Sequence, residues 1–186
     1  CEWRLGMTDA YDIVIAGVRR SLPKMEVAPG VRIAVLNILG DTELTEAGAR
    51  ALIKRLPPCE FIVTAEAKSI PLAYAMSVHS GIPYVVLRKT HKLYMGDSLE
   101  AETLSITTGQ PQKLYLDAKD RGSIAGKRVV IVDDVISTGS TSEGMRALMR
   151  LAGATVVGEA ALLTEGDEQK WRHVIALGHL PIFVGD

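Results

Sequence analysis

The sequence predicts an α/β fold in which helices cover a central, mainly parallel sheet. Segments with strand character alternate with helical segments along the chain, as in a sheet built from strand–helix–strand units. The central strand segments are apolar on both faces, which is typical of strands buried between helices. The 186 residues are 47% hydrophobic and contain no internal repeat or low-complexity linker, so a single domain with a sizeable core is expected over 1–186.

The first half of the chain begins with apolar residues at helical spacing, which predict a helix over 9–20. Residues 31–41 alternate loosely and predict a strand that enters a turn. Asp41 and Thr42 are candidate N-caps for a helix that ends before the proline pair at 57–58. The other predicted elements of this half are a buried strand at 61–65, a helix at 69–81 closed by a glycine, and a strand at 82–89.

The second half begins with a polar stretch, 90–112, that has little periodicity and is expected to be a flexible loop without regular structure. The strongest strand signal in the chain, KRVVIVDD, follows at 127–134. The remaining predicted elements are strands at 113–117 and 155–164, a helix at 141–152 and two short strands near the end.

Composition and charge exclude several classes of partner. The net charge of −1 gives no basic field for nucleic acid or an anionic membrane. No apolar run approaches the roughly 18 to 20 residues that span a bilayer, and the first dozen residues have no apolar signal-peptide core. Cys1 and Cys59 form neither a disulfide framework nor a metal-ligand spacing. We therefore expect a cytoplasmic protein with no nucleic-acid or membrane partner.

The segment VVIVDDVISTGST, at 129–141, ends the strongest strand with two adjacent aspartates. Asp133 and Asp134 repel each other, so a cation or a hydrogen-bond donor should meet them. The following STGST leads into a helix, whose first backbone N–H groups suit a phosphate. Because carboxylates accept from hydroxyls, a ribose 5-phosphate satisfies both halves. The alternative is a turn that only caps the helix, with both aspartates in water.

This segment closely resembles the phosphoribosyl-diphosphate (PRPP) binding motif of type I phosphoribosyltransferases. The shared pattern is four apolar residues, two acids, two apolar residues and a TGST-like loop, and the likeness spans about 31–165. The resemblance implies that Asp133 and Asp134 hold the ribose 2- and 3-hydroxyls. It also implies a 5-phosphate cradle made of Ser137, Thr138, Gly139, Ser140 and Thr141.

The resemblance extends to a pyrophosphate-binding region. EAKS follows the strand at 61–65, in the place of a family loop that often carries a non-proline cis peptide, and it is similar to the loops of purine-specific members. The alternative to pyrophosphate binding is that Lys68 is a solvated lysine at a helix start, and that Arg88 and Lys89 are ordinary charged residues at a strand end. The implied pyrophosphate-binding residues are Glu66, Ala67, Lys68, Ser69, Arg88, Lys89 and Lys92.

The resemblance also implies a small hood, from about 22–42 plus the C-terminal end, that contacts the base through Asn37, Ile136 and Glu165. Asn37 can donate and accept toward a base edge, or it can make an Asx turn. Glu165 would favour an amino or ring N–H donor, or it is a plain loop glutamate. The stretch 90–112 takes the place of the catalytic loop that closes over PRPP, where Ile106 replaces the tyrosine usual in adenine enzymes.

The implied activity is that of a glycosyltransferase (pentosyltransferase) that moves the 5-phosphoribosyl group from PRPP to a purine base and releases pyrophosphate, in purine salvage. Adenine is the first choice of base. A xanthine, hypoxanthine or guanine enzyme and a PRPP-sensing regulator on the same fold are the alternatives. Mg²⁺ is the expected cofactor, aided indirectly by Asp133 and Asp134 through hydroxyls or waters, and a homodimer is expected.

Overall fold

The computed structural model describes residues 9–104 and 111–185 and confirms the α/β fold. The strands are β1 (Ala10–Ile15), β2 (Val18–Ala28), β3 (Val31–Ala34), β4 (Phe61–Ala65), β5 (Tyr84–Leu87), β6 (Leu99–Leu104), β7 (Pro111–Leu116), β8 (Arg128–Ile136), β9 (Thr155–Glu165), β10 (Ile175–Leu180) and β11 (Ile182–Val184). The helices are α1 (Thr42–Ile53), α2 (Ile70–Ser80), α3 (Ala118–Ile124) and α4 (Ser140–Leu151). Short 3-10 helices lie at Leu93–Met95 and Glu168–Trp171.

The core of the molecule is a five-stranded parallel sheet in the order β10-β9-β8-β4-β5. Its central strand, β8, has a fully buried run from Val129 to Val132. Val130 and Val132 pack against the face covered by α1 and α2, whereas Val129 and Ile131 pack toward α4. This alternation explains why the strand is apolar on both faces, since helices cover it on both sides.

Two of the predicted helix ends have the caps that the sequence indicates. Asp41 caps α1 by accepting the Leu44 N–H at 3.1 Å, and Gly81 ends α2 with a φ of 74°. The short α3 is absent from the predicted elements, although Asp117 caps it by accepting the Lys119 N–H at 3.0 Å. Of the helices in the described ranges, none is both long and apolar enough to span a bilayer.

A second, antiparallel sheet in the order β1-β2-β3-β11 forms the hood. The C-terminal strand β11 pairs with β3, so both ends of the described chain contribute strands to the hood. Arg20 fastens the hood to the start of α1, because its guanidinium donates to Asp41 at 2.8 and 2.9 Å and to Glu43 at 2.9 Å. The Arg20 guanidinium holds the pKa of Asp41 below its ordinary value.

The helix predicted over 9–20 is wrong, since these residues form the β1–β2 hairpin. Tyr11, Ile13 and Ile15 point inward at alternate positions while the residues between them are exposed. Their spacing suits a strand better than the helical period. The turn uses Ala16 and Gly17, which both have positive φ, 50° and 80°, as a tight two-residue hairpin requires.

The prediction of no regular structure over 90–112 is also wrong for part of that range. A 3-10 helix lies at Leu93–Met95, and β6 pairs with β7 from Leu99↔Leu116 to Leu104↔Pro111. Ala101 and Thr103 are buried at alternate positions, between exposed glutamates, and this side of the hairpin packs on α4. Residues 105–110 lie outside the described ranges, so the expected mobility of the loop stays a prediction.

We expect Gly144→Ala to lower the melting temperature, because the added Cβ would overlap Cγ2 of Thr103 and push β6 away from α4. Overpacking of this kind costs about 1–3 kcal/mol, or roughly 2–4 °C per kcal/mol in a chain of this size. Gly122→Ala is the matched control, since a Cβ at Gly122 in α3 meets nothing within 4 Å. That variant should be neutral or slightly more stable. Equal melting temperatures for the two variants would contradict the packing described.

Candidate functional site

Three adjoining cavities lie at the carboxyl end of the parallel sheet. A small one of about 40 Å³ lies over the loop at 137–142, a central one of about 200 Å³ lies over β4 and β8, and a third of about 210 Å³ lies under the hood. Val135 lines all three, and Asp134 lines the central and hood cavities. The three cavities therefore form one continuous site along the end of β8.

Asp133 and Asp134 lie half-buried at the end of β8, where the sequence predicts them. The Asp133 carboxylate accepts the Asp134 N–H at 2.8 Å. Burial raises the pKa of Asp133 well above its ordinary value, the neighbouring Asp134 carboxylate raises it further, and the Ser69 hydroxyl opposes the shift. This pair of half-buried carboxylates lines the central cavity and offers acceptors only, so it suits a ligand with hydroxyl donors.

The loop after β8 leads directly into α4. The N–H of Glu143 donates to the Gly139 carbonyl at 2.9 Å, which forms the first turn of the helix. The Thr138 hydroxyl lies 3.1 Å from that of Ser140. Ser137, Thr138, Gly139 and Thr141 line the small cavity, whereas Ser140 does not. Backbone N–H groups at the start of a twelve-residue helix and several hydroxyls make this cavity suitable for an anion.

The buried side chain of Trp171 packs against the loop that follows β8. Gly139 has a φ of +84°, and a Cβ at that position would lie 2.7 Å from Cη2 of Trp171. Trp171 is held in turn by a hydrogen bond from Nε1 to the Glu165 carbonyl at 2.9 Å. Lys170 reaches back to donate to the Thr138 carbonyl at 3.1 Å. Trp171 was not predicted; its only signal in the sequence is a lone tryptophan within a polar segment.

The loop at 66–69 joins β4 to α2 beside the aspartates. The Thr64 hydroxyl donates to the Val132 carbonyl at 2.7 Å and lies 2.9 Å from the Ser69 hydroxyl. These buried contacts fix the start of α2 against the central strand. The Glu66–Ala67 peptide bond is cis, and all four residues of the loop, Glu66, Ala67, Lys68 and Ser69, line the central cavity.

The predicted cations separate into two groups. Lys68 and Lys89 line the central cavity, whereas Arg88 and Lys92 do not. Arg88 Nε donates to the Glu66 carboxylate at 2.9 Å, and its Nη1 donates to the Tyr94 hydroxyl at 3.0 Å. The Tyr94 hydroxyl and the Glu66 carboxylate raise the pKa of Arg88. Arg88 therefore holds the loop in position from outside the central cavity.

The predicted base-binding residues lie in three different places. Glu165 ends β9 and lines the hood cavity, where it is buried rather than in a plain loop. Ile136 lines the small cavity over the loop at 137–142 instead. Asn37 is exposed, and its Oδ1 accepts the Leu39 N–H at 3.1 Å, which is the Asx turn of the alternative reading.

Comparisons with known proteins agree with this architecture. A family model for the phosphoribosyl transferase domain matches residues 44–176. Over 142 residues the chain is 34% identical to a hypoxanthine/guanine phosphoribosyltransferase of Methanococcus voltae, covering 76% of this chain and 69% of that protein. A protein of the same name from Methanocaldococcus vulcanius is 36% identical over 109 residues, which cover 59% of this chain and 56% of that protein. The chain thus spans between about half and two thirds of these relatives.

Solved structures of low sequence identity share the fold. An adenine phosphoribosyltransferase from Thermoanaerobacter pseudethanolicus superposes with a TM-score of 0.70 at 22% identity, covering 85% of this chain and 95% of that one. The adenine enzyme from Saccharomyces cerevisiae gives 0.65 at 20% identity, with 90% and 93% covered. The parallel sheet with its antiparallel hood is therefore the fold of type I phosphoribosyltransferases.

We expect Asp133→Asn to raise the melting temperature near neutral pH. Because burial raises the pKa of Asp133, its contribution to stability is fully present below the ordinary aspartate pKa and is lost as pH rises through the folded pKa. The difference in melting temperature between the variant and the parent should therefore widen as the pH rises above the ordinary aspartate pKa, and level off above the folded pKa. Asp12→Asn is the control, since the pKa of Asp12, exposed beside Arg19, is lowered. A gap that stays constant with pH would contradict this description of Asp133.

Proposed function

Since this chain belongs to the phosphoribosyltransferase family, we propose that it transfers the 5-phosphoribosyl group of PRPP to a purine base and releases pyrophosphate. The observation that carries the proposal is the continuous row of three cavities along the end of β8. The row offers an anion site, a pair of carboxylates with two lysines, and a less polar space under the hood. PRPP with a base needs a phosphate site, a ribose–pyrophosphate site and a base site in that order.

The 5-phosphate would lie in the small cavity, on the N–H groups of the helix start and the hydroxyls of Ser137, Thr138 and Thr141. The ribose hydroxyls would donate to Asp133 and Asp134 and offset the cost of burying two like charges. Gly139 allows this geometry, because any side chain at its position would collide with Trp171. Ser140 would help through its contact with Thr138.

The pyrophosphate would lie over the loop at 66–69, where Lys68 and Lys89 line the central cavity. The anomeric carbon becomes cation-like as pyrophosphate departs and a base nitrogen attacks. Lysines beside the departing polyanion and carboxylates beside the ribose stabilise opposite ends of that charge separation. Arg88 would act by holding Glu66 in position. The loop at 90–112, whose strand β6 packs on α4, would close over bound PRPP.

Mg²⁺ is part of the proposal, because phosphate, hydroxyl and water oxygens are the ligands that this ion prefers, and PRPP would bring such oxygens to the central cavity. Asp133 and Asp134 would aid it indirectly, through ribose hydroxyls or waters. In the described ranges no cluster of three or more metal-ligating side chains is found, which suits an ion held mainly by its substrate. When bound, Mg²⁺ supplies positive charge to the pyrophosphate leaving group.

The relatives favour a purine as the acceptor. Proteins named hypoxanthine/guanine phosphoribosyltransferase match the sequence, whereas adenine enzymes match the fold at about a fifth sequence identity. The prediction of adenine as first choice is therefore not confirmed. We propose purine salvage in the cytoplasm as the setting. A homodimer is supported by α2, a helix with no Lys, Arg, Asp or Glu whose Tyr74 and Val78 are exposed.

The direct test is an assay with PRPP, Mg²⁺ and each of adenine, hypoxanthine, guanine and xanthine, with nucleotide and pyrophosphate both measured. We expect equal amounts of the two products with at least one purine, because each transfer releases one pyrophosphate. Tight PRPP binding without turnover on any of the bases would contradict the enzyme and would favour the PRPP-sensing regulator.

A second test concerns Lys68. We expect Lys68→Gln to raise the KM for PRPP by about tenfold or more, because it removes a charged hydrogen bond to pyrophosphate, commonly equivalent to about 1.5–3 kcal/mol. Lys54→Gln is the matched control, since Lys54 is exposed at the end of α1. If both variants keep the parent KM, the pyrophosphate does not lie over the loop at 66–69.

A further inference from the structure

Glu165 is a buried glutamate whose carboxylate has no hydrogen-bond donor among the described residues. It is the last residue of β9, it is only 8% exposed, and it lines the cavity of about 210 Å³ under the hood. The Trp171 indole bonds to its backbone carbonyl and not to its side chain. Within the described ranges, no hydrogen bond or ion pair to its carboxylate oxygens is found.

Glu159, on the same strand, shows what a structural carboxylate looks like in this protein. It is 2% exposed, and one of its oxygens accepts from Arg146 at 2.5 Å and lies 3.5 Å from His173. The chain thus supplies a cation to one oxygen of this buried glutamate, while its other oxygen, Oε1, is buried and has no hydrogen-bond partner within the described ranges. Glu165 differs in having no such partner and in facing a cavity large enough for a ligand.

Within the described ranges, the polar neighbours of Glu165 make no hydrogen bond or ion pair with its carboxylate. His179 is engaged on both ring nitrogens, since Nδ1 lies 2.9 Å from the Thr164 hydroxyl and Nε2 lies 3.0 Å from the Gly166 carbonyl. The other charged groups on the hood cavity are Lys68 and Asp134, which also line the central cavity. Burial raises the pKa of Glu165, while His179 opposes the shift. A ligand with N–H donors would remove the cost of burying this carboxylate.

We propose that the Glu165 carboxylate selects guanine by accepting hydrogen bonds from its N1–H and its 2-amino group. The inference rests on the proposed function and narrows the base that the hood cavity takes. The two donors lie side by side on the six-membered ring, away from N9, where the ribose is attached. Their spacing matches the two oxygens of one carboxylate, which is the arrangement that gives the strongest hydrogen bonds to this group.

The other purines fit this carboxylate less well. Hypoxanthine offers N1–H but has no amino group at C2, so one carboxylate oxygen stays without a donor. Xanthine places a carbonyl oxygen at C2, which repels the carboxylate. Adenine has an unprotonated N1, whose lone pair also faces the oxygens. A site built to bind a donor discriminates strongly against an analogue that lacks it, because its own buried group is then left unpaired.

The test compares kcat/KM for guanine and hypoxanthine in the parent protein, with 1-methylguanine as a third base. Guanine should exceed hypoxanthine by about tenfold or more, and 1-methylguanine, which lacks the N1 donor, should be a poor substrate. Glu165→Gln should then reduce kcat/KM for guanine by about 10- to 100-fold while reducing that for hypoxanthine less. The reason is that the Gln side chain has only one acceptor oxygen and points its amide N–H₂ at a donor.

Glu168→Gln is the matched control, because Glu168 is an exposed glutamate three residues further along, and it should keep the parent ratio. An unchanged guanine-to-hypoxanthine ratio in Glu165→Gln would overturn the inference while leaving the proposed function intact. If Glu165→Gln does not fold, the parent protein alone still tests the inference. A guanine-to-hypoxanthine ratio of kcat/KM at or below one would overturn the inference. A ratio of about ten or more, together with poor use of 1-methylguanine, would support it. Absence of turnover with every purine would instead count against the proposed function.

Discussion

Two neighbouring carboxylates, kept half-buried at the end of the central strand, are the constraint on which the rest of the site depends. Asp133 and Asp134 repel each other and are poorly solvated, so burial raises the pKa of Asp133. The fold keeps them there by covering both faces of β8 and by tying the 66–69 loop to it through Thr64 and Ser69. The ribose hydroxyls would donate further hydrogen bonds to these carboxylates and offset the cost of burying them.

Other polar groups at the carboxyl end of the sheet also face cavities in which a ligand would complete their hydrogen bonds. Val135 lines all three cavities, with the helix start of α4 on one side and the hood on the other. Lys68 and Lys89 line the central cavity, where the pyrophosphate would bind. Hydroxyls and backbone N–H groups line the small cavity, where the 5-phosphate would bind. Glu165 under the hood is a third carboxylate in need of donors. In the proposed complex, each part of the substrate would therefore meet a group of complementary charge or hydrogen-bonding capacity.

Local patterns in the sequence were sufficient for the α/β class and for the segment at 129–141, because strand, loop and helix start follow one another without interruption. The prediction of a helix over 9–20 failed because its few apolar residues fit both the helical period and the strand period. The antiparallel pairing of β1 with β2 gives these residues the strand conformation. Contacts between distant residues could not be predicted: Trp171 under Gly139, and Glu66 bound to Arg88, depend on how separate elements pack. Asn37 and Ile136 were plausible by type, but their positions follow from a turn and a strand end.

The most direct measurement of the central claim is the affinity of the protein for ribose 5-phosphate and for 2-deoxyribose 5-phosphate by titration calorimetry. The two ligands carry the same phosphate and differ in one hydroxyl, so the comparison isolates the interaction with the carboxylates at the end of β8. If a ribose hydroxyl offsets the burial of Asp133 and Asp134, the deoxy sugar should bind about tenfold more weakly or worse. Equal affinities would contradict the account, because the carboxylates at the end of β8 would then gain nothing from the 2-hydroxyl that they are proposed to hold.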